Sequence, residues 1–173
     1  MAKKNNNDDM IKYLSGMKDF MLNPKEYSTT GNQEIDGVLN YMLQKANKTL
    51  NQVDVQINIP EDLYFNNFNI CVILGNLVDN AVREASKSKE KLLTIKMQIK
   101  QEVLLIFIEN SYSGKILEKR NGLQTTQPEL AIHGIGLENV KKVVIANGGE
   151  IKIDYTSNRF CVQVLLYMSR IKN

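Results

Sequence analysis

Hydrophobic and polar positions change period several times along this chain of 173 residues, and each change marks an element. Residues 1–9 are polar, with Asp8 or Asp9 able to cap a helix that starts after them. Met10, Leu14, Met17 and Met21 then recur at helical spacing until Asn23-Pro24 stops them. After a turn-rich stretch from Ser28 to Asn32, Ile35, Val38, Leu39, Met42, Leu43 and Ala46 predict a second helix. Both stripes are narrow, so they fit a helical hairpin or dimer seam as well as helices packed on their own domain. Val53, Val55 and Ile57 alternate as a strand does, and Pro60 ends it.

The most informative helix comes next, from Asn69 to Ala85. Ile70, Leu74, Leu77, Val78, Ala81 and Ala85 fall on one arc. Asn76, Asp79, Asn80 and Arg83 share the other, since positions i, i+3, i+4 and i+7 lie on one helix face. Asn and Asp are poor helix formers, each costing roughly half a kcal/mol relative to Ala. Three of them within two turns indicate that their oxygens are wanted. Such oxygens are hard ligands, suited to a magnesium ion that is itself bound to phosphates.

Alternation returns at Leu93, Ile95, Met97 and Ile99, and Val103–Ile108 is an unbroken apolar run of the kind found in central strands. Residues 111–133 carry little periodicity, and a connection of that length implies a lid or binding loop. Next, Gly134-Ile-Gly136 precedes a helix with Leu137, Val140 and Val144 facing the core, stopped by Gly148-Gly149. Residues 151–155 and 160–167 close the chain as a hairpin about Ser157-Asn158. The order predicts an α+β fold, a two-layer α/β sandwich with helices on one face of a mixed sheet, preceded by N-terminal helices.

Composition excludes more than it assigns. A net charge of +3 is too small to imply nucleic acid, and no apolar run reaches the length of a membrane span. No signal-peptide pattern opens the chain. Cys71 and Cys161 stand apart and read as buried thiols in a reducing cytoplasm. One histidine, His133, leaves little room for a zinc cluster or a Ser-His-Asp triad.

Gly134 and Gly136 supply the other half of the chemistry. Glycines before a helix let backbone approach an anion, and the free N–H groups and helix dipole favour phosphate. On its own such a pair more often serves as a turn. Here it accompanies the Asn helix and a strand ending in Glu109-Asn110. It is neither a P-loop nor a full dinucleotide fingerprint.

Together these segments resemble a known family. Asn76-Leu-Val-Asp-Asn80-Ala resembles the N box, and Gly134-Ile-Gly136-Leu137 the second glycine box, of the ATPase superfamily shared by DNA gyrase, heat-shock chaperones, mismatch-repair proteins and sensor histidine kinases. Ile73–Ala81, Thr125-Thr126 and His133–Val140 are similar to quorum-sensing peptide-receptor histidine kinases, as are Thr30–Asn40 and Lys45-Ala46. The resemblance spans about residues 30–167.

It implies ATP and magnesium as cofactors. Asn80 would bind the metal, Asn76 would support the phosphates or the metal, and Arg83 would reach phosphate oxygens as a charged fork. Gly134 and Gly136 would cradle phosphates, with Leu137 in the same box and Thr125 and Thr126 in the lid. Asn110 would take the adenine-reading position that is usually Asp, in a first glycine box reading Asn110-Ser-Tyr112-Ser-Gly114, where only Gly114 survives. Hydrolysing relatives place Glu at the position of Asn76 as general base. An amide cannot take that proton, which favours phosphoryl transfer over hydrolysis.

The resemblance also divides the chain into a partial dimerisation-type helical segment, residues 1–50, and an ATP-binding catalytic domain, residues 51–173. It implies a cytoplasmic protein-histidine kinase, part of a membrane-bound sensor, whose phosphoacceptor histidine lies outside this chain. His133 itself is followed by Gly-Ile-Gly rather than the acidic residue usual after an acceptor. Implied partners are ATP, the dimerisation helix that carries the acceptor, a response regulator indirectly and a second copy, with no nucleic acid. A non-catalytic binding module of the same fold and an anti-sigma-like serine kinase are the alternatives.

Overall fold

A computed structural model of the chain describes residues 30–113 and 135–167. Eight elements run in order: α1 (Gln33–Thr49), β1 (Gln52–Asn58), α2 (Asn67–Lys87), β2 (Leu92–Lys100), β3 (Val103–Ser111), α3 (Ile135–Ala146), β4 (Glu150–Tyr155) and β5 (Arg159–Tyr167). The strands form one sheet in the order β1-β2-β3-β5-β4. Only β1 and β2 run parallel; the remaining pairs are antiparallel. This is the expected α+β sandwich on a mixed sheet, with Val103–Ile108 in the central strand.

Period-two burial explains the layers. Leu93, Ile95 and Met97 on β2, Leu104, Ile106 and Ile108 on β3, and Phe160, Val162, Val164 and Leu166 on β5 are buried, while their chain neighbours are more open. That inner face meets the apolar arc of α2 (Ile70, Ile73, Leu74, Leu77, Val78, Ala81) and Leu137, Val140 and Val144 of α3 in one core. Both long helices start on an Asn cap. Asn32 accepts from the Ile35 amide at 3.2 Å, and Asn66 from the Asn69 amide at 3.3 Å.

Helix α1 belongs to this same body. Ile35, Leu39, Leu43 and Ala46 are fully or almost fully buried and join the core with α2 and the sheet. Of the two readings of its stripe, packing on its own domain is what the structure shows. The described part of residues 1–50 thus packs on α2 and the sheet through α1. The expected helix carrying Met10, Leu14, Met17 and Met21 lies outside the described residues. Cys71 and Cys161 are half-buried rather than buried. Partial burial and the nearby carboxylates, Glu34 for Cys71 and Glu109 for Cys161, raise both thiols above the usual range. Among the described residues no helix is long and apolar enough to cross a membrane.

A cleft between the asparagine helix and the start of α3

Gly136 fixes the geometry of the site. The expected glycine turn ahead of a helix is corrected in one respect: Ile135 and Gly136 already lie in the first turn of α3. A Cβ at Gly136 would stand 3.0 Å from Asn80 Nδ2 and 3.2 Å from Asn76 Oδ1. Glycine is needed because α3 begins directly on the two asparagines. The first N–H groups of any helix have no partner within it, and its dipole is positive there. This end of α3 therefore meets Asn76 Oδ1 and Asn80 Nδ2 of α2 in a setting suited to an anion.

The two asparagines are half-buried and differently engaged. Asn76 Nδ2 donates to the Val72 carbonyl at 2.8 Å, which leaves Oδ1 toward Gly136. Asn80 Oδ1 accepts from Arg83 Nη2 at 2.5 Å. Arg83 also stands 3.8 Å from Asp79 and 3.5 Å from Glu84. Asp79, expected to share the asparagine face, is drawn instead to α1, where Lys45 Nζ donates to it at 2.6 Å.

Beside this cluster lies a narrow cleft of about 20 Å³ lined by Leu77, Asn80, Ala81 and Glu84 of α2, Ile108 and Asn110 of β3, Leu137 of α3, and Phe160 and Val162 of β5. Its floor is apolar and its polar groups are few, the usual make-up of a small-molecule site. Asn110 is only 3% exposed. Its Nδ2 donates to the Ser111 carbonyl at 2.9 Å. A carbonyl cannot donate, so this bond fixes the amide orientation and leaves Asn110 Oδ1 as the acceptor it can offer. Ser111 anchors the end of β3. Its hydroxyl lies 2.6 Å from that of Ser88 and accepts from the Leu92 amide at 2.8 Å.

Tyr112 packs against Phe160. It is buried, and its ring centroid lies 6.2 Å from that of Phe160. Its hydroxyl has no hydrogen-bond partner among the described residues. Burial, then the charge of Glu84 and the neighbouring Tyr155, raise its pKa and keep it protonated.

The structure thus brings Asn76, Asn80, Arg83, Asn110, Gly136 and Leu137 to one site. Gly114, Thr125, Thr126, His133 and Gly134 lie outside the described residues. The sequence reading missed Glu84 and Phe160 as cleft residues. Glu84 was findable, since it comes four positions after Asn80 and so shares its face; Phe160 reads in sequence only as one more core position. For a divalent cation the donor set is the pair of amide oxygens. Among the described residues no three His, Cys, Asp or Glu side chains gather as a metal cluster. Two neutral oxygens suit magnesium, which takes few protein ligands and keeps phosphates and waters.

Comparison with known proteins gives the same outline. A family model described as a GHKL domain matches residues 65–167. No curated protein matches the chain. Among solved structures, the histidine kinase AdeS of Acinetobacter baumannii is 18% identical with a TM-score of 0.59, over 91% of this chain and 75% of that one. The catalytic domain of the histidine kinase ThkA is 17% identical with a TM-score of 0.59, over 82% of this chain and 96% of that one. The mycobacterial sensor histidine kinase MprB is 16% identical with a TM-score of 0.52, over 77% and 95%. At such identities the likeness establishes the fold.

Proposed function

This chain belongs to the GHKL domain family, and we propose that it is the catalytic ATP-binding domain of a sensor histidine kinase. It would bind Mg-ATP and transfer the γ-phosphate to a histidine on a dimerisation helix outside this chain. The observation that carries this reading is the contact of Gly136 with both Asn76 and Asn80 at the edge of the cleft that Asn110 lines.

Each residue has a role that its surroundings support. Asn80, with Asn76 beside it, offers oxygens to magnesium. The bound metal would neutralise charge on the triphosphate during transfer. The start of α3 holds phosphate through backbone N–H groups. Arg83, half-exposed on the rim, supplies a mobile guanidinium for phosphate oxygens. Asn110 Oδ1 accepts from the exocyclic amine of adenine, while Leu77, Ala81, Leu137 and Phe160 enclose the ring. Gly114, Thr125, Thr126 and Gly134 would complete the phosphate end. No carboxylate occupies position 76 to deprotonate water, so the site delivers phosphate to an activated acceptor rather than hydrolysing ATP. A response regulator downstream, a homodimeric assembly, a peptide quorum signal and attachment to a membrane sensor belong to the same reading.

Calorimetric titration with Mg-ADP tests it. The folded chain should bind, and Asn80→Ala should lose the magnesium-dependent part while remaining folded. Absence of binding at millimolar nucleotide would leave the second reading, a non-catalytic module of the same fold. Tyr112, buried where the family pattern has glycine, is the feature that favours that alternative. Transfer of labelled γ-phosphate to an added chain bearing the acceptor helix separates the two.

A further inference from the structure

Two carboxylates flank Arg83, and each already has a lysine of its own. Asp79 Oδ1 accepts from Lys45 Nζ at 2.6 Å, while its other oxygen is 3.8 Å from Arg83 Nη1. Glu84 Oε1 accepts from Lys87 Nζ at 2.8 Å and stands 3.5 Å from Arg83 Nε. The lysines therefore hold the hydrogen-bonded positions and Arg83 the looser ones. Among the described residues its one close side-chain contact is with neutral Asn80.

We propose that Lys45 and Lys87 are positioning residues that keep Arg83 uncommitted, so that it can leave Asn80 for nucleotide phosphate. This rests on the nucleotide reading above. Arg83 occupies the Asn80 oxygen that the metal would need, so loading the site requires the guanidinium to move. An unneutralised Asp79 would oppose that twice. It would draw Arg83 into a two-point ion pair, the preferred geometry for guanidinium and carboxylate. It would also place a net negative charge beside the incoming phosphates. Lys45 reaches Asp79 from α1, so the first helix of the domain sets the charge balance at the nucleotide end of α2. The side chains of Lys45, Asp79 and Arg83 are 52%, 41% and 51% exposed. Exposed pairs are individually weak, and the effect should be graded rather than all-or-none.

The test is Mg-ADP calorimetry on the full chain and the variants Lys45→Met, Asp79→Asn and the double substitution, with melting curves to confirm folding. Lys45→Met should weaken binding roughly 1.5- to 5-fold, the range of one exposed charge pair. Asp79→Asn in that background should restore it, and Lys45→Arg should bind like the unaltered chain. Lys87→Met should weaken binding in the same way through Glu84. A Lys45→Met loss that Asp79→Asn leaves in place would mean that Lys45 touches phosphate itself, and would overturn the proposal. So would unchanged binding in Lys45→Met while the unaltered chain binds. Failure of the unaltered chain to bind would instead remove the nucleotide reading itself.

Discussion

Gly136 touches Asn80 across the interface of α2 and α3, so closely that a Cβ would stand 3.0 Å from the Asn80 amide nitrogen. The contact separates stability from function. Gly136→Ala adds helix propensity in the first turn of α3, at most about 1 kcal/mol. The same methyl group pushes on both asparagines. Melting temperature should therefore hold or rise while Mg-ADP affinity falls about tenfold, a loss of about 1.4 kcal/mol. A variant that binds nucleotide normally would show that the asparagine pair does not need this spacing.

Leu43 tests which body α1 belongs to. It is fully buried in the core shared with α2 and the sheet. Leu43→Ala should cost about 2–5 kcal/mol, the usual range for a buried leucine. It should also shift the whole urea transition without splitting it. A separable helical segment would instead melt in its own step and leave the main transition in place.

Sequence signals are legible as far as they are local. Alternation at Leu93, Ile95 and Met97 gives a strand and its inner face, and the sheet uses both. The arc of Asn76 and Asn80 and the glycine before Leu137 locate the two halves of the site, because helix faces and small residues are local properties. The partner of a stripe is not local. Ile35, Leu39 and Leu43 present the same pattern to a sheet as to a second helix, so the role of α1 needed the fold. The Lys45–Asp79 pair, 34 positions apart, and the packing of Tyr112 on Phe160 depend on how distant elements meet. No periodicity records either.

Tyr112 is a site where losing an atom should help. Its hydroxyl is buried without a partner among the described residues. An unmet buried polar group costs about 1–3 kcal/mol. Tyr112→Phe keeps the ring against Phe160 and removes that cost, so the denaturation midpoint should rise with an unchanged slope. Tyr112→Gly, matching the usual glycine box, should lower stability by removing a buried ring. A fall in stability for the Phe variant would reveal a partner for the hydroxyl.

Asn110 offers a sharper test, because Asp is the residue the resemblance makes usual there. In this chain the side chain must donate to the Ser111 carbonyl, which an ionised carboxylate cannot do. Asn110→Asp would set two oxygens against each other in a position 3% exposed. Burial and the lost donor both disfavour the charged form, so the pKa of the introduced Asp rises on folding. A protonated carboxyl can still donate to Ser111. The variant should therefore be close to the unaltered chain in stability below the unfolded Asp pKa of about 3.9. It should then lose stability relative to that chain as pH climbs through the raised folded value, because the folded state holds a proton that the unfolded state has released. Melting curves of both chains across acidic and neutral pH read this difference. A gap that stays constant with pH would mean that the introduced carboxylate finds another donor or water, and that the Ser111 contact does not select Asn over Asp.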